Sequence, residues 1–222
     1  MAERQRAPWP EKNADKVWEQ ASKRDHQGAM DAWYIVRDQL FGSADLMEGF
    51  ATWWGQSTFM TNSEDVIDLS RENLVAYWQG GGYDSYAAYA INATKRISRN
   101  ETVMNEFAGT LEGCINIVYD TYANAIEFMS ACAHALVEAG ATTFEDVVMP
   151  WKIVTNVIQV LNEFMKNIND LVAKSVRQMG ELREKGVFLA RQANDFADVK
   201  AMAEPAGNPD LWAVKPIQPP SA

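Results

Sequence analysis

The run VVMPWKIVTNVIQVLNEFMKNINDLVAKSVRQMGELREKGVFLARQANDF occupies residues 147–196. Its apolar residues Val147, Trp151, Val154, Ile158, Leu161, Met165, Ile168 and Val172 follow one another at alternating spacings of four and three. The same register continues through Ser175, Met179, Leu182, Gly186, Leu189, Ala193 and Phe196. A seam recurring about every 3.5 residues lets one helix lie along another at a shallow angle. Trp151, Val154, Ile158, Leu161, Met165, Ile168 and Val172 are therefore the expected helix-packing seam. Ile153, Val157, Val160, Phe164 and Leu171 widen the stripe in its first half, so more than one neighbour is expected there. At the rise of an α-helix the segment makes a rod of about 75 Å. Thr143 before Phe144-Glu145-Asp146 has the form of an N-cap, and Pro150 falls near the second turn, where it bends a helix rather than ending it.

Working upstream, Leu111, Ile115, Val118, Tyr122, Ala125, Met129, Cys132 and Leu136 repeat the four-three pattern, and Tyr83, Ala90, Ile97, Met104 and Ala108 extend it. This predicts a helix over 83–138, reversed by a turn at Gly140-Ala141-Thr142 and paired antiparallel with a helix over 144–199. In the first third, Trp33, Val36, Leu40, Met47, Phe50 and Trp54 predict a helix over 13–59, with Gly42-Ser43 a candidate break. Ser63-Glu64-Asp65-Val66 begins a helix over 63–79, which the three glycines Gly80-Gly81-Gly82 end. Seven of the eight prolines lie in the two ends of the chain, which predicts disordered tails at 1–12 and 201–222 around one helical domain at 13–200. No segment alternates apolar and polar residues between turn pairs, so no sheet is expected. The predicted fold is all-α, an elongated bundle of long antiparallel helices.

Composition narrows the functions. The 222 residues carry 20 Lys and Arg against 30 Asp and Glu, a formal charge of −10, which repels a phosphate backbone and argues against nucleic acid as a partner. No signal-peptide core opens the sequence, and no run of about 18 apolar residues follows, so a soluble protein is expected. Cys114 and Cys132 stand 18 residues apart, which on one helix separates them by about 27 Å, far beyond disulfide reach. Both read as small buried apolar residues.

Candidate chemistry is thin. His26 and His134 are the only histidines, and neither follows a Glu by three residues as a bundle metal site requires. Cys132 and His134 are two apart on a helix and point in different directions. Gly80-Gly81-Gly82 has no following Lys-Ser/Thr and no preceding strand, so it is not a phosphate loop. Asp65, Asp68 and Glu72 read as a solvated helix face beside Arg71. Trp53-Trp54 beside Phe50 and Phe59 reads first as an aromatic cluster packed in the bundle, with an exposed partner-binding patch as the alternative. No catalytic, cofactor or metal residues are assigned, and no enzyme is expected.

Ala76-Tyr77-Trp78-Gln79-Gly80-Gly81-Gly82, followed at once by the small-residue helix from Tyr83 to Ala90, resembles the WXG family handled by type VII (ESX) secretion systems. The resemblance implies a helical hairpin with Trp78 and Gly80 in its turn and a homo- or hetero-oligomeric helical bundle. It also implies export without a cleavable signal peptide, and a secretion ATPase among the partners. Trp53-Trp54-Gly55 also has the Trp-x-Gly form, but Trp78 lies between two helical patterns and precedes the longer. The Tyr-x-x-x-Asp/Glu signal carried by family members after the second helix has no counterpart beyond Trp78. Its sole instance is Tyr34–Asp38, upstream of the turn, so either a partner supplies the signal, as for PPE-type relatives, or the protein is not secreted by that route. The chain is about twice the length of single-hairpin members and closer to the longer PPE-like or fused relatives. Two further readings stand beside this one: a pore-forming, membrane-active toxin, suggested by the mostly uncharged run from Phe128 to Val137, and a structural helical assembly protein.

Overall fold

The computed structural model describes residues 4–42, 44–140 and 151–194. The protein is all-α, and among the described residues there is no strand. Among the described residues the α-helices follow in the order α1 (Glu11–Lys23), α2 (Gln27–Tyr34), α3 (Ala44–Trp54), α4 (Thr58–Leu74), α5 (Gly81–Glu138) and α6 (Trp151–Asn194). A π-helical segment, Ile35–Gln39, continues α2. The chain forms two compact units. Unit 1 takes in α1, α2, the π segment, the start of α3, α5 from Leu111 and α6 to Glu184. Unit 2 takes in the end of α3 from Phe50, α4, α5 up to Thr110 and α6 from Lys185.

The expected helix over 13–59 is three helices, for local reasons. Glu11 in the first turn and Lys23 in the last suit the dipole of α1, whose buried face is Ala14, Val17 and Ala21. The chain leaves α1 through Asp25 at φ +49°, a left-handed conformation that Asp tolerates better than bulky residues. His26 then caps α2. Its Nδ1 accepts the Ala29 N–H at 3.1 Å, which puts the ring proton on Nε2, 3.1 Å from Asn162 Oδ1. The second break falls at the predicted place, with Gly42 at φ +49°. A third lies at Gly55, whose N–H donates to the Ala51 carbonyl.

Unit 1 is built on an antiparallel pair. Thr121 of α5 meets Ser175 of α6, and Gly113 meets Leu182; a Cβ on Gly113 would stand 3.1 Å from the Leu182 side chain. Tyr122, Met129 and Leu136 from α5 and Leu161, Phe164 and Ile168 from α6 are fully buried with Val17 and Val36. An aromatic group closes over α1 and α2. Trp33 lies 5.7 Å from Trp9, 5.0 Å from Trp18 and 5.4 Å from Tyr34, and its indole N–H donates to the Ala14 carbonyl at 2.9 Å.

The expected disordered tail at 1–12 needs correction in its described part. Residues 4–10 carry no helix, yet Ala7 and Trp9 pack on the core and the Arg6 guanidinium sits 4.2 Å above the Phe41 ring and 4.7 Å above that of Tyr122. The expected cap at Thr143, the bend at Pro150, the segment 195–199 and the tail at 201–222 lie outside the described residues.

Within unit 2, α4 and the first part of α5 form a helical hairpin. Ser57 donates to Asn105 and Thr61 to Glu101, both at 2.8 Å, while the Tyr83 hydroxyl donates to the Arg71 carbonyl at 3.2 Å. These pairings run antiparallel. α4 starts five residues earlier than the sequence suggested, at Thr58, and ends at Leu74 rather than 79. Ser63 is accordingly not a cap; its hydroxyl folds back on the Phe59 carbonyl at 2.8 Å.

Candidate functional site

The turn of the hairpin is where the sequence placed its motif. Beyond Leu74 the N–H groups of Tyr77 and Trp78 both donate to the Leu74 carbonyl, at 3.0 and 2.8 Å. Gly80 then takes φ +93°, and its carbonyl receives the Asp84 N–H of α5 at 3.1 Å. The half-buried Trp78 ring lies 6.2 Å from Tyr83, edge-on, and 5.9 Å from Tyr86. Trp78 therefore covers the first turn of α5. A Cβ on Gly80 would meet nothing within 4 Å, so Gly80→Ala tests the backbone alone. We expect it to lower the unfolding free energy by about 1–2 kcal/mol in urea titrations, the cost of a left-handed residue with a side chain.

The cluster at Trp53 overturns an expectation. Trp54 packs, its ring 4.9 Å from Phe107. Trp53 touches Trp54 edge-on but is 60% exposed, and Phe50 and Phe59 are more than half exposed as well. A packed aromatic cluster does not form, because only one residue of the adjacent pair can face α5. α4 has no buried residue at all. Its half-buried row, Met60, Glu64, Ile67, Arg71 and Leu74, lies toward the hairpin, and Phe59, Val66 and Leu69 stand open.

The expected seam is placed as follows. Leu161 and Ile168 are fully buried, Val154, Met165 and Val172 half-buried, and Ile158 is 37% exposed. The side chain of Trp151 lies outside the described residues. Val157 and Phe164, which the sequence assigned to a widening of the stripe, are buried instead of Ile158. Met165 packs against Gly28 of α2, where an added Cβ would overlap its thioether. Downstream the register holds, with Ser175, Met179, Leu182 and Gly186 half-buried and Leu189 buried. Beside this seam, in unit 1, lies a mostly apolar groove of about 410 Å³, lined among others by Leu40, Val118, Val172, Val176 and Met179. In its wall the Ser175 hydroxyl donates to the Leu171 carbonyl at 2.9 Å, so the proton of the 2.6 Å Thr121–Ser175 bond comes from Thr121.

The titratable residues are dispersed. Among the described residues, no group of three or more His, Cys, Asp or Glu is placed to hold a metal. Asp68 pairs with Arg71 at 3.3 Å, and His134 is exposed. Tyr34 meets Trp18 edge-on at 5.1 Å, Asp38 pairs with Arg37 at 2.8 Å, and the Arg37 guanidinium lies 5.4 Å from the Tyr34 ring, so both residues of the lone Tyr-x-x-x-Asp spacing meet Arg37. Both cysteines are free. Burial, with a smaller push from Glu163, raises the Cys132 thiol to about 12. Burial also raises that of the half-buried Cys114. A thiol that holds its proton more tightly when folded stabilises the protein below its unfolded pKa and loses that contribution as pH rises. Stability should therefore fall between pH 9.0 and about 12 through Cys132. Denaturant titrations across that window should show a shallower fall for Cys132→Ala, and native thiol labelling should be slower at Cys132 than at Cys114.

No family model, curated protein or solved structure matches the chain. Function has to be read from the surfaces themselves.

Proposed function

We propose that this is a non-enzymatic protein that works by helix-to-helix association with a helical partner or with itself. The more specific reading is a WXG-like substrate or partner of a type VII (ESX) secretion system, exported by that route and recognised by its secretion ATPase. One observation carries the association reading: α4 buries no residue, and it leaves a row with three large apolar side chains, Phe59, Val66 and Leu69, open to solvent. Large apolar side chains left exposed together on one helix face mark an interaction surface. The secretion reading rests on Ala76–Gly82 and on a hairpin that turns at Trp78 and Gly80. No described helix is long and apolar enough to cross a membrane.

The test of the secretion reading is the distribution of the native protein between medium and lysate in strains with and without a working type VII ATPase. Appearance in the medium only with the ATPase supports it, and retention in both strains removes it. Trp78→Ala should abolish export while helicity by circular dichroism is kept. Loss of helicity together with export makes Trp78 a structural residue of the turn.

A further inference from the structure

The open row of α4 is flanked by charge on one side. Residues three, four and seven apart share a helix face, so Phe59, Val66 and Leu69 form one stripe, with Asn62 and Asn73 in the same row. The three apolar side chains are 55%, 63% and 59% exposed. Asp65 and Glu72, both exposed, stand seven residues apart and therefore one above the other along a single edge of the stripe. The opposite edge carries no charge at Ser63 or Ser70, and their hydroxyls donate to the Phe59 and Val66 carbonyls of their own helix at 2.8 and 2.7 Å. Asp68 is already held by Arg71.

We propose that this face docks an amphipathic helix of another protein, one whose apolar stripe is bordered by Lys or Arg. The inference rests on the association reading above and names the partner's chemistry. From Phe59 to Leu69 the stripe runs about 15 Å, close to three helical turns, which suits a helix lying at a shallow angle. Charge selects among occupants. A second copy would add its own Asp65 and Glu72 and bring together two chains of −10 each. An anionic bilayer meets the same repulsion. A basic helix satisfies both the apolar row and the two carboxylates.

The test uses the full-length chain and a labelled synthetic peptide of about 18 residues, with Leu on one helical face and Lys elsewhere, against the same peptide with Glu for Lys. Fluorescence anisotropy should show the Lys peptide bound at least about tenfold more tightly than the Glu peptide. The double variant V66D/L69D should weaken Lys-peptide binding by about 30-fold or more, and D65K/E72K should reverse the preference between peptides. All four positions are exposed, so an unchanged circular dichroism spectrum is expected for both variants. Undiminished binding by V66D/L69D, or an unreversed preference in D65K/E72K, overturns the proposal, because capture is then a matter of overall charge. A wild-type dimer that V66D/L69D converts to a monomer in sedimentation also overturns it and assigns the face to a second copy, leaving the association reading intact. Anionic-vesicle binding lost in the same variant overturns both readings in favour of a lipid surface.

Discussion

Trp33→Ala is expected to lower the unfolding free energy by about 3–5 kcal/mol, the range for removing a buried large aromatic side chain. Trp33 is a buried junction. Its ring contacts Trp9 in the segment before α1, Trp18 on α1 and Tyr34 at the end of α2, and the Arg37 guanidinium sits 4.6 Å above it. Removing the ring therefore leaves a cavity bordered by three separately placed aromatics. Trp33→Phe keeps most of the apolar volume but leaves the Ala14 carbonyl without the indole donor, so about 1 kcal/mol should be lost. Urea midpoints of the two variants separate packing from the hydrogen bond. Equal losses in both would mean that the indole N–H, not the stack, dominates the site.

Phe164→Ala should cost about 3–5 kcal/mol, whereas Ile158→Ala should cost less than about 1 kcal/mol. Both residues are large and apolar, and they lie six positions apart on α6. The difference is burial: Phe164 is enclosed with Leu161, Ile168 and Tyr122, while Ile158 is partly open to water. Guanidinium titrations of the two single variants decide which row of α6 faces the core. Comparable losses at both positions would put the seam back on the register read from spacing alone.

How much of the fold was legible depended on how long each pattern ran. On α5 the four-three repeat from Tyr83 to Leu136 falls on positions that are buried or half-buried throughout, and the helix begins within two residues of the expected start. Over that length a wrong register would have put charges in the core, so only one reading survives. The segment 13–59 is different, since its breaks at Asp25, Gly42 and Gly55 interrupt patterns of about ten residues each. Gly42 was visible as a break. Asp25-His26 was not, because the signal is a left-handed Asp followed by a histidine acting as an N-cap, a role more often filled by Ser, Thr, Asn or Asp. Trp9 and Trp18 escape the periodicity for a related reason: neither belongs to a periodic stripe, and each packs on the core beside Trp33.

The candidate surface shows the same division. Trp78 and Gly80 were found from residue type, since a glycine free to take positive φ beside an aromatic is a turn signal wherever it occurs. The aromatic pair at Trp53-Trp54 reads as core, because sequence records that side chains are apolar but not which of two neighbours has a helix opposite it. Helical class, the hairpin at Trp78 and the α5 register follow from residue order, since each is a property of local spacing and backbone freedom. The choice between Ile158 and Val157 for the core, and the exposure of Trp53, Phe59, Val66 and Leu69, came from tertiary packing. Burial is set by what lies across the interface, and adjacent rows of one helix differ by only about 100° of rotation.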